Sequence, residues 1–396
     1  MVPGLFESDP THVLHIRETQ IELAPGRHIT TTTYEGGLPG PLLRTTVGQP
    51  VRVDVYNETG QAERINWHGQ NLEVDASTSV PAHSKGRMAF TPTRPGLFFY
   101  HSNVIAAAHL NAGLYSAQAG ALLVEPARPR AHSTGRIDRE QVIVLKECEP
   151  FIKRTQRGSE VGYRSFTING RLPAHDDFAK TTGCVLVNVL NASATQTHSL
   201  ALAGHSFEVI ALDGNPLPRP TRVRALQLSP GERVLARVEL RHPSGWRVRD
   251  PGDEAWDYAR FSAPGRPLSK PDKTLEMVLT RHDAARSGFN RWSINGHSYC
   301  AADPRPLFVL QQGLRYRMKI RNSSDEIIPV HLQNHQLEIV RVGGNPTAGI
   351  FKDVVSIGAA ESLEVDFVAS RRAPALLYCT RQLHRDFGLM ALIDYT

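Results

Sequence analysis

Three stretches of this chain share a β-alternating pattern of apolar and polar residues, and each of them ends in asparagine. They run over Val51–Asn57, Val185–Asn191 and Tyr316–Asn322, each soon after a glycine. A period of two places alternate side chains on opposite faces of a β-strand. Turn residues cluster between the runs at short intervals, as is typical of antiparallel β-sandwiches. The pattern predicts an all-β protein with few helices.

The recurrence of this pattern is an internal repeat. Copies two and three agree further, because His205–Pro216 mirrors His335–Pro346 over a strand and a Gly-Asn-Pro turn. A repeat of this length indicates homologous domains, and the chain is too long for one ordinary core. A proline-rich linker at 126–133 and a second boundary near 268–290 predict domains at 1–127, 135–270 and 280–396.

Composition narrows the class of partner. The 396 residues carry a net charge of +6 without a long basic run, so we expect no nucleic-acid partner. Nothing in the sequence requires a membrane. The stretch Met1–Pro10 lacks a positive region followed by an apolar one, which predicts a cytoplasmic protein, or a periplasmic or secreted one if a leader has been removed. Four cysteines show no paired spacing, so we expect no disulfides.

Histidine motifs carry the chemistry. They read Asn66-Trp-His-Gly69, Tyr100-His-Ser-Asn103, Pro329-Val-His-Leu-Gln333 and Tyr378-Cys-Thr380, the last followed by His384. Together with the opening segment Tyr34–Arg44 and the pair Lys352-Asp353, they resemble the copper-binding motifs of three-domain multicopper oxidases. The resemblance covers most of the chain and implies three tandem cupredoxin-like Greek-key β-sandwich domains.

The same motifs depart from the family's pattern. The trinuclear copper cluster of the family uses pairs of histidines from the first and last domains. This sequence keeps His68, His101 and His331, and at the other positions it has Asn66, Asn103, Gln333, Tyr378 and Thr380. Each copper ion needs several nitrogen donors of its own, so we expect no trinuclear cluster and no four-electron reduction of oxygen.

The surviving histidines resemble the type 2 copper site of nitrite reductases. That resemblance implies one mononuclear copper at the interface of domains one and three, held by His68, His101 and His331. Three neutral imidazoles suit copper, with zinc as the alternative, and leave a position open for oxygen or substrate. The competing interpretation is that these histidines are relics, satisfied by ordinary hydrogen bonds.

A second copper position is less complete. Cys379 and His384 match the family's blue copper site, and Leu389 suits its axial position, but Ile328 stands where a histidine belongs. A thiolate with one imidazole is a weaker metal site, and a buried cysteine is often only a small hydrophobe. We therefore rank Cys379 and His384 below the three histidines as metal ligands.

Three further residues are candidates for catalysis. Asn66 lies where nitrite reductases carry a catalytic carboxylate and can orient a ligand without shuttling protons. Asp75 could supply protons or could simply be a turn residue, and His109 could line the edge of the pocket. We predict a copper-dependent oxidoreductase that acts on a small organic substrate, with O2 as a candidate partner, in metabolite biosynthesis. The alternative is a metal-free scaffold like the copper-less relatives that serve in bacterial cell division. The sequence leaves the oligomeric state open.

Overall fold

The computed structural model describes residues 9–70, 79–128, 137–175, 182–250, 256–263, 265–284 and 288–396. Strands dominate these ranges. They also contain one short α-helix, Gln382–Asp386, and 3-10 turns at Gly113–Tyr115, Pro173–His175 and Tyr258–Phe261. The predicted all-β class of three cupredoxin-like sandwiches is confirmed. No helix in the described part of the chain is long and apolar enough to cross a membrane.

The first unit is a sandwich of two sheets. Its strands are β1 (His12–Ala24), β2 (Arg27–Tyr34), β3 (Gly40–Thr46), β4 (Val51–Asn57), β5 (Glu63–His68), β6 (Ser79–Val80), β7 (Ser84–Phe90), β8 (Gly96–Ser102) and β9 (Ala119–Glu125). One sheet has the order β2-β1-β4-β7 and the other β3-β9-β8-β5-β6. Val53 and Val55 from the first sheet and Trp67 and Phe98 from the second bury one core between them.

The second unit repeats this plan. Its strands are β10 (Arg139–Thr155), β11 (Gly158–Ile168), β12 (Gly183–Asn191), β13 (His198–Leu202), β14 (Phe207–Leu212), β15 (Asn215–Val223), β16 (Ala225–Leu228), β17 (Arg233–Leu240) and β18 (Trp246–Arg249). The larger sheet has the order β11-β10-β12-β17-β14-β15, and the smaller one β16-β13-β18.

The third unit contains the remaining strands. They are β19 (Lys273–Ala284), β20 (Asn290–Ile294), β21 (Pro306–Leu310), β22 (Arg315–Asn322), β23 (Ile328–Leu332), β24 (Leu337–Val342), β25 (Asn345–Lys352), β26 (Val354–Ile357), β27 (Ser362–Val368), β28 (Ala375–Cys379) and β29 (Met390–Tyr395). Its sheets run β20-β19-β22-β27-β24-β25 and β21-β29-β28-β23-β26. The first of them has the same connectivity as the larger sheet of the second unit. The predicted start of the third domain at 280 falls inside β19.

The repeated asparagines explain why the sequence repeat is so regular. Asn57, Asn191 and Asn322 end equivalent strands, and each is at most 1% exposed. Each side-chain amide donates to backbone carbonyls of two neighbouring segments, which are those of Gln61 and Val80, of Gln196 and Leu228, and of Glu326 and Gly358. Each side-chain oxygen also accepts from the backbone N–H two residues further on. A buried amide with all these bonds fixes the end of its strand, so we assign the three asparagines a structural role.

The short helix Gln382–Asp386 ties the third unit to the first. The Gln382 side chain accepts from the backbone N–H of Leu114 at 2.7 Å. Arg385 donates to the Asn103 side chain at 2.7 Å and to the Val104 carbonyl at 2.9 Å. These bonds join residues far apart in the chain, and they hold the histidine-bearing strands of the two units against each other.

Candidate metal centre

Two pairs of neighbouring strands carry the histidines. In the first unit β5 pairs with β8, which sets Asn66 opposite His101 and His68 opposite Phe99. In the third unit β23 pairs with β28, which sets His331 opposite Tyr378. Because alternate residues of a strand face the same side, Asn66 and His68 both point away from the core that receives Trp67. The two pairs of strands therefore meet through their polar faces.

The predicted histidines come together there. The ring centroids of His68 and His331 lie 4.0 Å apart in a stacked arrangement, and those of His68 and His101 lie 5.8 Å apart. All three side chains are about 2% exposed. His331 Nδ1 donates to the Asp353 carbonyl at 2.6 Å, and His101 Nδ1 donates to the Ser102 carbonyl at 2.8 Å. With Nδ1 bonded in this way, Nε2 is the nitrogen that each ring can offer to a metal, although that of His101 also lies 3.3 Å from the Asn66 amide.

Like Gln70 Nε2 and Thr380 Oγ1, His68 Nε2 departs from the pattern of hydrogen-bonded polar atoms in the described part of the chain. It is buried and has no hydrogen-bond partner among the described residues. Asp353 Oδ1 lies 3.6 Å from this nitrogen, which is too long for a hydrogen bond. A buried nitrogen without a partner costs about 1–3 kcal/mol, so this atom calls for an explanation.

Asp353 belongs to a buried ionic network that joins the second and third units. Arg233 donates to both of its carboxylate oxygens, each at 2.6 Å, and both side chains are 1% exposed. Burial alone would raise the pKa of Asp353, but the Arg233 guanidinium outweighs it and holds that pKa well below its usual range. The neighbouring Lys352 pairs with Asp213 at 3.0 Å and with Glu232 at 3.1 Å. Asp353 is therefore a fixed, ionised carboxylate beside His68.

These residues fit one metal ion. One ligand atom from each of His68, His331 and Asp353 lies within 4.8 Å of the others, and all three residues are buried. Burial, together with the neighbouring His68, lowers the pKa of His331 to about 3, and burial lowers the pKa of His101 well below its usual value. Both imidazoles are consequently neutral near pH 7, which is the form that binds metals. Sequence reasoning quoted the Lys352-Asp353 pair but gave Asp353 no role, and nothing in the sequence pointed to Arg233.

The predicted catalytic residues lie at different distances from this centre. The Asn66 amide donates to Tyr378 Oη at 3.1 Å and lies 3.3 Å from His101 Nε2, so it is part of the centre. His109 is exposed, in the loop between β8 and β9. Asp75 falls in 71–78, outside the described residues. Their catalytic roles stay predictions.

The second copper position retains two of its donors. Cys379 Sγ lies 3.7 Å from His384 Nδ1, and the His384 ring stacks on Trp292 at 4.0 Å. Ile328 is fully buried at the third position. Burial raises the pKa of the Cys379 thiol to about 12, so it is protonated near pH 7. His384 Nε2 lies 3.4 Å from Glu326 Oε2, and both residues line a cleft of about 300 Å³.

Family comparisons agree with this architecture. Three family models described as multicopper oxidase match residues 15–128, 156–249 and 270–396. The chain belongs to the multicopper oxidase family. Among its relatives, the multicopper oxidase MmcO of Mycobacterium tuberculosis is 25% identical, over 97% of this chain and 87% of the relative. The multicopper oxidase mco of Staphylococcus aureus is 21% identical, over 98% of this chain and 88% of the relative.

Solved structures of other members of the family share the fold. The multi-copper oxidase from Pseudomonas thermotolerans superposes with a TM-score of 0.76 at 23% identity, covering 98% of this chain and 100% of the other. McoA from Aquifex aeolicus superposes with a TM-score of 0.77 at 18% identity, covering 98% of this chain and 97% of the other. At these identities the similarity establishes the shared fold only. The metal ligands of this multicopper oxidase family member are identified from its own residues.

Proposed function

We propose that this chain is a copper-dependent oxidoreductase that holds a single type 2-like copper ion between its first and third units. The carrying observation is the buried His68 Nε2, which has no hydrogen-bond partner among the described residues and faces His331 and Asp353. A bound ion would give this nitrogen the partner that the residues described above do not supply. His101, Asn66 and Tyr378 line the same interface.

A single ion accords better with this interface than a trinuclear cluster. Positions that carry histidine in the family are hydrogen-bonded to other side chains here, because Asn66 donates to Tyr378 and Asn103 accepts from Arg385. The Arg385 guanidinium also lies over the Tyr378 ring, 5.9 Å from its centroid. A buried guanidinium beside these residues repels additional cations. We therefore propose one copper per chain, with zinc as the competing metal.

Copper bound here would supply one-electron redox chemistry. The chain's own residues would position the ion and exclude water. The Asp353 carbonyl holds the His331 ring through Nδ1, and the Ser102 carbonyl holds His101 in the same way. Such bonds fix the tautomer and the direction of the free nitrogen. The named relatives are oxidases, which supports a small organic substrate with O2 as electron acceptor, and a tailoring reaction in biosynthesis is the context that we propose.

One observation favours a metal-free scaffold as the second candidate. Arg233 already neutralises Asp353, and the ring of His68 stacks on His331, so the interface is packed without a metal. In that case His68 Nε2 would stay 3.6 Å from Asp353 Oδ1 with no ion between them.

Elemental analysis and electron paramagnetic resonance of the copper-loaded protein separate the two candidates. We expect one copper per chain with a type 2 signal, lost in His68→Ala and in His331→Ala. The control is His109→Ala, since His109 is exposed and outside the centre. Substoichiometric metal that is unaffected by the substitutions at His68 and His331 would leave the scaffold as the function.

A further inference from the structure

We infer that Asp353 is the third protein ligand of this metal ion, so that two imidazoles and one carboxylate hold it instead of three imidazoles. The inference rests on the proposed function, because it specifies how the ion of that site is bound. It changes the ligand set implied by the sequence, in which His101 completes the site. Asp353 comes from the segment between β25 and β26, directly beside the strand that carries His331.

The distance between the donor atoms supports this assignment. His68 Nε2 and Asp353 Oδ1 are 3.6 Å apart. Two ligand atoms bound to one ion at about 2.1 Å each lie roughly 3.0–3.6 Å apart for bond angles between about 90° and 120°. An ion can therefore bridge these two atoms without movement of either side chain. His331 contributes the remaining donor within the same 4.8 Å group.

His101 is the poorer third ligand. The group of described residues whose donor atoms all lie within 4.8 Å of one another contains His68, His331 and Asp353, and His101 is outside it. Both of its nitrogens already have partners, because Nδ1 donates to the Ser102 carbonyl and Nε2 accepts from the Asn66 amide at 3.3 Å. Binding a metal through His101 would break the second of these bonds. Asp353 needs no such exchange.

The bond to Arg233 is compatible with this role. A carboxylate offers about four acceptor positions, and the bidentate guanidinium takes one on each oxygen. The remaining position on Oδ1 is available to an ion on the His68 side. Arg233 is thus a positioning residue: it orients the carboxylate and keeps it ionised, as outer partners of metal ligands do.

Gly69 gives an independent indication that the backbone is shaped around this carboxylate. It follows His68 with φ of +85°, a conformation that side chains rarely adopt. A Cβ atom at this position would lie 2.6 Å from Asp353 Oδ2 and 2.5 Å from Arg233 Nη2. Only glycine lets the His68 strand end so close to the Asp353 pair. The motif residue after His68 therefore serves the approach of the carboxylate.

Pulsed electron paramagnetic resonance on the copper-loaded wild-type protein tests the inference directly. The method counts the imidazole rings coupled to copper through their remote nitrogens. We expect two coupled imidazoles, from His68 and His331. Three coupled imidazoles would overturn the assignment while leaving the single-copper proposal intact.

Variants give a second test. We expect Asp353→Asn to weaken copper binding by at least about 100-fold, whereas His101→Gln retains one copper per chain. Asp366→Asn is the matched control, because Asp366 is also 1% exposed and bonded by an arginine, Arg317, through both oxygens, at 2.7 and 3.1 Å. It should keep its copper. Unfolding midpoints identify any variant that fails to fold. If one does, the number of copper-coupled imidazoles in the wild-type protein decides between the two ligand sets.

These outcomes distinguish a failure of the Asp353 assignment from a failure of the proposed function. Loss of copper in His101→Gln with retention in folded Asp353→Asn would overturn the assignment of Asp353. Retention of copper in both His68→Ala and His331→Ala would instead contradict the proposed function itself.

Discussion

Two regions of this molecule match copper sites of the family, the interface centre around His68 and the region around Cys379, and they differ in the state of their donor atoms. The interface centre keeps His68 and His331, and within the described part of the chain the buried His68 Nε2 has no hydrogen-bond partner and lies beside an ionised carboxylate. The region around Cys379 keeps a thiol and an imidazole 3.7 Å apart, yet the thiol is protonated near pH 7 and Glu326 lies 3.4 Å from the other nitrogen of the imidazole. The retention of a ligand residue is thus a poor guide to metal binding. The useful criterion is whether its donor atom is unpaired and in the right protonation state.

This difference between the two regions follows from the residues that surround each of them. At the interface, charged partners come from another unit, since Arg233 of the second unit holds Asp353 of the third. Around Cys379 the missing donor is replaced by Ile328, which is fully buried and apolar. Apolar burial disfavours a thiolate, whereas a paired buried carboxylate stays charged.

The largest expected effect comes from removing the arginine that holds the interface centre. Arg233→Met leaves Asp353 without its buried counter-charge, so we expect the free energy of unfolding to fall by about 3–5 kcal/mol. Urea denaturation measures this. Arg237→Met, on the same strand, is the control, because its ion pair with Glu208 is 3.5 Å long and about 27% exposed. It should cost less than about 1 kcal/mol, and equal losses in the two variants would remove the special status of Arg233.

The thiol of the second region should be inert. A pKa of about 12 against roughly 8.5 for a free thiol lowers the thiolate fraction at pH 8 by about a thousandfold. We expect one of the four cysteines, the exposed Cys300, to react rapidly with a thiol reagent in the native protein. The others should react after unfolding. Mass spectrometry locates the label, and Cys300→Ser should abolish the fast phase. Rapid labelling of Cys379 would place a thiolate there.

Adding the missing imidazole should enable the region around Cys379 to bind copper as well. Ile328→His adds the second nitrogen donor next to Cys379 and His384, and two histidines with one thiolate form a blue copper site. We expect intense visible absorption in this variant after copper loading, and none in wild type. Visible spectroscopy checks it, with Ile328→His combined with Cys379→Ser as the colourless control. A blue wild-type protein would mean that Ile328 does not prevent copper binding.

The smallest effect tests an assumption that both regions share, namely that burial keeps an imidazole neutral. Burial lowers the pKa of His335 to about 4, against the Gln333 carbonyl, which raises it. Because the unfolded imidazole takes up a proton near pH 6.5, the stabilising contribution is complete above that pH and is lost as pH falls towards 4. The groups around it are the Tyr395 hydroxyl at 3.3 Å, the Phe367 ring and Arg371.

We therefore expect His335 to account for a loss of about 1 kcal/mol in unfolding free energy between pH 7.5 and pH 5.5. Denaturant unfolding of His335→Gln at both pH values should show a correspondingly smaller loss than wild type. His109→Gln, which changes an exposed imidazole, should match wild type. An unchanged pH dependence in His335→Gln would mean that His335 is protonated in the folded protein.

Much of the fold was predictable because it repeats. The alternating runs before Asn57, Asn191 and Asn322 mark equivalent strands, and local pattern is enough to identify a strand with one buried face. Domain boundaries are harder to predict from the sequence than strands are. Strand β19 begins at Lys273, next to a proline-rich segment that has no alternation of its own, and its membership in the third unit depends on pairing with β22.

The candidate site was predictable only in part. His68 and His331 were named from the resemblance of their motifs to those of copper proteins, and the fold brings them into contact. Asp353 and Arg233 could not be assigned in that way, because they are separated by 120 positions and come from different units. Likewise, Asn66 and Tyr378 are separated by 312 positions and meet only when the first and third units pack.

The sequence by itself determined the period of the strands, the repeat, and the residue types available at each metal-ligand position. These properties are local, so they can be recognised without knowing which strands become neighbours. Tertiary structure alone decided which donor atoms remain unpaired, which carboxylate is held ionised beside His68, and where Ile328 and Arg385 fill the space around the lost ligands. Those outcomes depend on burial and on charges brought from other units, and burial exists only once the units have packed.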